Sequence, residues 1–445
     1  MRRAIYTFFL ALAFIAPYGA GSTCTIDAPC TLQSVMTAGS VAPGETVYLL
    51  PGTYKGAFWS LVSGTAEAPI TFRSVPGTRV TIDGSLRIDG ANTTWKGVEV
   101  TYTGWTSRTV SLPGSAPAGL PQTGLFIYGA RTRVEQCFVH DTSEGVGFWK
   151  PAVDAVIDGC LIANNGWQGT DRGHGHAIYA QNDTGTKTIK NSVILSQYDD
   201  GLIVYGTSAA SLTGFDVISN TIRASKTLIG GGSPAGRIRV QGNIVYGGLF
   251  DLGYWGVENN QDAVVEGNTF AATLMASGWQ SLTVRNNTFE YLGDQLRLHY
   301  PPSHARYQID ANTYRCAYGS CLSHTLYQTG IQRSFGAWQA ETGYDQTSTA
   351  TYNTPGQDKV VYNGRFVTIL NYHNLASVVV NPPGLTPGAA YKLTNAQNMG
   401  EALPFVAGGP VSVPMTGWTV ATPYGASTPL VPWSSQFAVF LVEPA

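Results

Sequence analysis

The stretch RVQGNIVYGG (residues 239–248) carries a unit, V-x-G-N-x-[IFY], that returns along the chain. It recurs as VVEGNTFAAT (264–273), TVRNNTFEYL (283–292) and QIDANTYRCA (308–317), with an earlier copy, VISNTIRAS (217–225). Asn220, Asn243, Asn268, Asn287 and Asn312 thus fall at intervals of 23, 25, 19 and 25 residues. Each copy alternates apolar and polar residues, the signature of a short strand. A repeat of this length is one supersecondary unit that cannot bury its own apolar face, so copies must stack into a solenoid. In a parallel solenoid neighbouring coils lie ~4.8 Å apart, close enough for the repeated Asn side chains to form a hydrogen-bonded ladder.

The register extends upstream with substitutions. RVEQCFVHD (133–141), VIDGCLIAN (156–164) and TIKNSVILS (188–196) put Cys137, Cys160 and Ser192 at the Asn position, and NTTWKGVEV (92–100) is a degenerate copy. Helical repeats are excluded by the period-2 alternation and the short spacing between turns, and leucine-rich repeats by the lack of an L-x-x-L-x-L frame. The expected fold is all-β: a right-handed parallel β-helix over residues 23–321, with an N-terminal cap that includes a short helical piece. Residues 322–357 read as an irregular connection. Residues 358–445 turn to longer strands punctuated by Pro and Gly, as in KVVYNGRFVTILNYHN and QFAVFLVEPA, and predict an antiparallel β-sandwich domain.

Only 12% of the 445 residues are charged and the net charge is −2, which excludes the basic stripe that nucleic acid requires. The opening MRRAIYTFFLALAFIAPYGAGS (residues 1–22) has the basic, apolar and small-residue segments of a secretory signal, with cleavage expected between Ala20 and Thr23. The expectation is a secreted or periplasmic monomer with no membrane insertion. Six cysteines in an exported chain are free to pair. Cys24 with Cys30, and Cys316 with Cys321, can each close a small loop. Cys137 and Cys160 share a ladder position on adjacent coils, so either a disulfide or a stack of buried thiols fits there.

The run GETVYLLPGTYKG (44–56), then SGTAEAPITF (63–72) and VTIDG (80–84), resembles the opening of bacterial β-helix polysaccharide lyases of the chondroitinase B and alginate lyase type. The resemblance implies the β-helix fold and an enzyme acting on an extracellular polysaccharide. A weaker similarity, to pectin-hydrolysing β-helices, lies in G-H-G at 173–175 and D-D at 199–200. Here the order of the two motifs is reversed, and that family's N-T-D and R-I-K are absent.

A second repeat, G-x-x-x-aromatic, marks another part of the coil: Gly124 to Tyr128, Gly145 to Trp149, Gly175 to Tyr179 and Gly201 to Tyr205. Alternation points Tyr128, Trp149, Tyr179 and Tyr205 outward in a stack, a surface suited to the faces of sugar rings. Immediately before each Gly stand Thr123, Glu144, His174 and Asp200, which predicts Glu144, His174 and Asp200 in one column. The longest insertion, NNGWQGTDRGHGHAIYAQN, brings Asp171, Arg172, His174 and His176 together. His176 falls at a position this register makes inward.

Two reaction classes use such groups. β-Elimination from a uronate needs a neutralised carboxylate, a base and an acid. Arg172, or a Ca²⁺ held by Glu144, Asp199 or Asp200, serves the first need. His174 or His176 is the candidate base and Tyr179 the acid. Lys150, Gln181 and Asp199 join the aromatics as substrate-binding candidates. Glycosidic hydrolysis needs a carboxylate pair, drawn from Asp141, Glu144, Asp171 and Asp200. A non-catalytic sugar-binding surface protein would keep only the aromatic row. Asp251, Tyr254 and His299 form a second candidate set farther along.

Overall fold

A computed structural model describes residues 12–120, 124–208, 210–254, 259–290, 295–299, 306–316, 334–354 and 356–445. The predicted β-helix is present. Among the described residues, one sheet stacks twelve parallel strands from Leu12–Ile15 to Arg306–Asp310. A second, folded sheet supplies two further ladders. One runs through Glu99–Thr101, Phe138–His140, Leu161–Ala163, Val193–Leu195 and Thr221–Arg223. The other runs through Leu125–Ile127, Val146–Phe148, Ile178–Ala180, Leu202–Tyr205 and Lys226–Gly231. The longer strands Ile244–Leu252 and Thr269–Ser277 span both ladders. Each coil therefore presents three faces around one apolar core. Phe270, Phe289 and Tyr314 stack within it on successive coils, with ring centroids 5.3 and 4.9 Å apart.

The turn from the first sheet into the second explains the G-N pair. The residue before each ladder position is left-handed: Gln136, Gly159, Asn191, Ser219, Gly242, Gly267, Asn286 and Ala311 all have φ between 50° and 67°. Gly and Asn tolerate that region best. The next residue then turns its side chain into the core. The main-chain N–H of Asn243 donates to Asn268 Oδ1 at 2.8 Å and its Nδ2 donates to the same oxygen at 2.9 Å. Asn220, Asn268 and Asn287 repeat the pattern with the next Asn in line. The second amide hydrogen goes to a sheet carbonyl, as from Asn268 to Val240 at 3.0 Å. All five Asn are at most 1% exposed, and the ladder satisfies donors and acceptors that burial would otherwise make costly. Upstream, Ser192 accepts from the Cys160 N–H at 3.1 Å. Cys137 and Cys160 are free and buried, so the stacked-thiol alternative holds.

Two segments differ from expectation. The connection expected to be irregular holds helix Phe335–Thr342, capped at Ser334, and strand Thr349–Tyr352, which pairs in parallel with Thr313–Cys316. Trp338 is fully buried, and its indole N–H, the Tyr314 hydroxyl and Asn312 Nδ2 all donate to Asp345. This segment thus closes the last coil of the solenoid and terminates the ladder. A solenoid end must be covered, because its final coil otherwise exposes core and an unpaired edge. At the other end, Leu12–Ile15, part of the expected signal, pairs in parallel with Thr46–Leu49 and buries Ile15. Cys24 and Cys30 form a disulfide beside it. Cys321 lies outside the described residues.

The C-terminal strands form a five-stranded antiparallel sheet and a two-stranded ribbon, Ser377–Val380 with Val411–Pro414. Alternation along Phe437–Leu441 explains why every residue there is buried. Phe437, Val439 and Leu441 pack on Leu161, Val193, Leu195 and Ile244 of the solenoid flank. Ala438 and Phe440 pack on Val378, Val380 and Val413 of the ribbon. A sandwich thus sits on the flank, with its larger sheet as the middle layer. No described helix is long and apolar enough to cross a membrane.

Candidate active site

The site lies at the turn that feeds the third face, away from the Asn ladder. Four successive backbone bonds define its register. Gly124 donates to the Glu144 carbonyl, Gly145 to that of His176, Ala177 to that of Asp200 and Gly201 to that of Lys226, at 2.8–3.2 Å. The column is therefore Glu144, His176, Asp200 and Lys226, one residue per coil. It alternates acid, imidazole, acid and amine. Thr123 lies outside the described residues.

His174, expected in this column, is not in it. The insertion folds as a small antiparallel hairpin, Trp167–Gln168 with Gly173–His174, standing off the coil. There His174 stacks on Trp167 with centroids 5.2 Å apart and its Nε2 contacts Asp171 at 3.1 Å. The contact with His174 holds the Asp171 carboxyl down at about 2. The hairpin uses up two residues, so Ala177 rather than Gly175 aligns with Gly145 and Gly201. His176, expected to face inward, accordingly moves to the column.

His176 is the centre of the cluster. Its Nδ1 lies 3.1 Å from Glu144 Oε1, and its Nε2 lies 3.6 Å from Asp199 Oδ2. The first is a hydrogen bond and the second is too long to be one. Glu144 thereby orients the ring as an Nδ1–H donor and leaves Nε2 on the side of Asp199 without a hydrogen bond to it. Burial disfavours the imidazolium, but the bond to Glu144, followed by the charges of Glu144, Asp199 and Asp200, lifts the pKa above its ordinary value. Arg172 pairs with Asp199. Burial and then the neighbouring Asp200 raise the Asp199 carboxyl, against the pull of His176 and Arg172. Lys226 Nζ approaches Asp200 at 3.7 Å. Burial pushes the Asp251 carboxyl up to about 7, Lys226 pulling it down and Asp200 adding to the rise.

The aromatic row is longer than the sequence repeat and has a different register. Tyr128, Trp149, Gln181 and Tyr205 follow one another, because Ile127, Phe148, Ala180 and Val204 are paired across the coils. Tyr179 aligns with Gly147 and Ile203, one pleat earlier. It still lies beside the row, its ring 5.6 Å from Trp149 and 5.8 Å from His176. Gly147 makes this possible, since a Cβ there would meet Trp149 Nε1 at 2.5 Å. Burial raises the Tyr179 phenol. Beyond Tyr128, Arg87 is sandwiched between that ring and Trp59 at 4.5 Å from each. At the other end Tyr205 meets Tyr254 edge-on. Gln181 donates to the Tyr205 carbonyl, and Lys150 pairs with Asp183 at the rim.

Trp59, Arg87 and Lys226 belong to no repeat found in the sequence. Lys226 opens a strand with a shifted register, so only the backbone bond from Gly201 identifies it. Asp251 and Tyr254, expected as a separate set, continue the same face. Asp141 is elsewhere. It is buried in an ion chain with Arg108 at 2.6 Å and His140 at 2.7 Å, and His140 in turn meets Glu99 at 2.8 Å. That chain also holds the Tyr424 N–H, at 2.9 Å from Asp141, and so fastens a loop of the C-terminal domain.

Of the residues expected to hold calcium, Asp199 and Asp200 lie together and Glu144 stands on the other side of His176. Ligating atoms of His176, Asp199 and Asp200 lie within 4.8 Å of one another, but the imidazole stands between the aspartates and Glu144. Calcium takes six to eight oxygens, and here two carboxylates are already faced by Arg172, His176 and Lys226.

No family model and no curated protein sequence matches this chain. Solved structures similar to it in backbone course include pectate lyase Pel9A, with 13% identity over 78% of each chain and a TM-score of 0.37. A mannuronic acid specific polysaccharide family 6 lyase from human gut microbiota shares 12% identity over 76% of this chain and 91% of its own, with a TM-score of 0.41. The GH136 lacto-N-biosidase from Eubacterium ramulus shares 11% over 77% and 67%, with a TM-score of 0.40.

Proposed function

We propose that the third face is the cleft of an exported enzyme that cleaves an acidic polysaccharide by β-elimination. The observation that carries this is the Glu144–His176 pair, with Glu144 on Nδ1, Nε2 left without a hydrogen bond to Asp199, and Tyr179 beside the ring. The row from Trp59 to Tyr254 spans about 30 Å at ~4.8 Å per coil, a length for a polymer rather than a single sugar. The leader and the Cys24–Cys30 disulfide support export.

In this mechanism Arg172 and Lys226 face the uronate carboxylate and neutralise it, which acidifies the adjacent C–H. His176 takes that proton at Nε2 while Glu144 holds Nδ1–H. Tyr179, kept protonated by burial, donates to the glycosidic oxygen as the C–O bond breaks and a C=C bond forms. The proton on His176 then returns to solvent and Tyr179 is reprotonated.

A second scheme, hydrolysis, draws on Asp251, whose carboxyl, pushed up to about 7, suits a general acid, with Asp200 as the second carboxyl. Product mass separates the two. Incubation of the full chain with polyuronates should give an ultraviolet-absorbing unsaturated end and no added water. A product heavier by one water, without the chromophore, would replace elimination by hydrolysis.

A further inference from the structure

We propose that a groove between the C-terminal domain and the solenoid flank binds an anionic stretch of oligosaccharide, apart from the cleft. The groove has a volume of about 680 Å³. It crosses three coils at the turn between the first sheet and the flank, by Ser74, Gly97 and Gln136, and its far wall comes from the sandwich strands Ala390–Asn395 and Phe437–Pro444. At ~4.8 Å per coil this is a run of ~10 Å, enough for two or three sugar units.

Its chemistry is cationic. Arg73, Arg79, Lys96, Arg365 and Lys392 all line it. Three of them already face carboxylates: Arg79 pairs with Glu99, Lys96 lies 3.5 Å from Glu135, and Lys392 lies 3.0 Å from Glu443. Among the described residues Arg73 and Arg365 form no ion pair, although Arg365 feels the charge of Glu443. Arg73 lies over the Tyr48 ring at 5.8 Å. Arg365 donates Nη2 to the Gln136 carbonyl at 3.2 Å. The Nε–H of each is buried without a hydrogen-bond partner. A guanidinium with unmet donors is costly to bury, and a carboxylate in the groove is drawn to its charge. Pro76, Met399 and Leu441 supply apolar wall between the charges, as the C–H faces of a sugar require and a bare anion does not.

The test is calorimetric titration of the full chain carrying His176→Ala, which suppresses turnover, with a uronate hexamer. A neutral hexamer and polyglutamate of equal charge serve as controls. Arg73→Gln with Arg365→Gln should remove one binding event, weakening it at least about tenfold. If the cleft also binds, stoichiometry falls from two to one; if it does not, from one to none. The proposal therefore stands or falls independently of the cleft. Should the double variant fail to fold, Lys96→Glu with Lys392→Glu at the rim carries the same expectation. Unchanged stoichiometry and affinity, or equal binding of polyglutamate, would overturn it.

Discussion

The solenoid stacks side chains from coil to coil at two of its turns, and the two stacks use opposite chemistry. At the first turn, like sits on like: five Asn in succession, each at most 1% exposed. An amide carries both donors and an acceptor, so identical copies satisfy one another without limit. At the second turn, Glu144, His176, Asp200 and Lys226 are all different, and their charges alternate. Identical carboxylates ~5 Å apart would repel, so a polar column that is charged has to alternate to stay stacked. The first arrangement stabilises the coil and offers nothing to a ligand. The second leaves fixed charges and an oriented imidazole at the surface.

The largest way to break this contrast is at His176. His176→Ala should lower turnover by roughly 10²–10⁴-fold, the loss expected of a general base, and lower the melting curve only by the loss of its pairing with Glu144. His174→Ala, on the hairpin, should cost far less. The reverse ranking in initial rates would return His174 to the column and undo the register.

Next is the ladder. Asn268→Leu removes the acceptor for the Asn243 N–H and Nδ2, and the donors to Asn287 and Val240. Stranding several buried polar groups should destabilise the chain by about 3 kcal/mol or more in denaturant titration. Turnover at low temperature should persist. A loss below ~1 kcal/mol would mean that the amides do not support the stack.

The pH dependence sharpens the second turn. The folded pKa of His176 lies above the unfolded value, so the stability of its pairing is complete below about 6.5 and is lost as pH rises through the folded value. The neutral base appears over the same interval. Rate should therefore rise with pH while this contribution to stability falls. A rate that declines through that window would exclude His176 as base. Chelation should leave the rate unchanged, because the charges here are met by side chains. Restoration of a lost rate by added calcium would contradict that.

Smaller effects on titration and stability are expected at Lys226 and the thiols. Lys226→Met should raise the Asp251 titration further, followed by carboxyl NMR, because Lys226 is the group that pulls it down. Its part-exposed pair with Asp200 should be worth about 1 kcal/mol or less to stability. Cys160→Ser should cost about 1 kcal/mol, and the folded chain should leave both thiols unreactive to aqueous reagents.

The fold was legible because the ladder states it twice, in period and in residue identity. V-x-G-N encodes an inward strand residue, a left-handed turn and a stacked amide in four letters. The C-terminal strands were legible as strands, but not as the middle of three layers: Phe437–Leu441 is apolar throughout and Phe366–Leu370 is apolar but for Thr368, which fits any doubly buried strand. The closing helix around Trp338 carries no repeat, so nothing in its sequence linked it to Asp345 and the ladder's end.

The candidate site was legible in its residues and not in its register. Glu144, His176, Asp200, Arg172 and Tyr179 could all be picked from the sequence, because acids, imidazoles and aromatics crowd three neighbouring coils. Which histidine stands between Glu144 and Asp199 depends on how many residues the insertion spends on its hairpin. Within a stack, position is fixed by backbone bonds to the adjacent coil, and an insertion makes none until it returns. Sequence by itself determined the repeating geometry, since each coil repeats the same local code. Tertiary structure alone decided the pairing of unlike side chains, since that depends on where each coil rejoins the sheet.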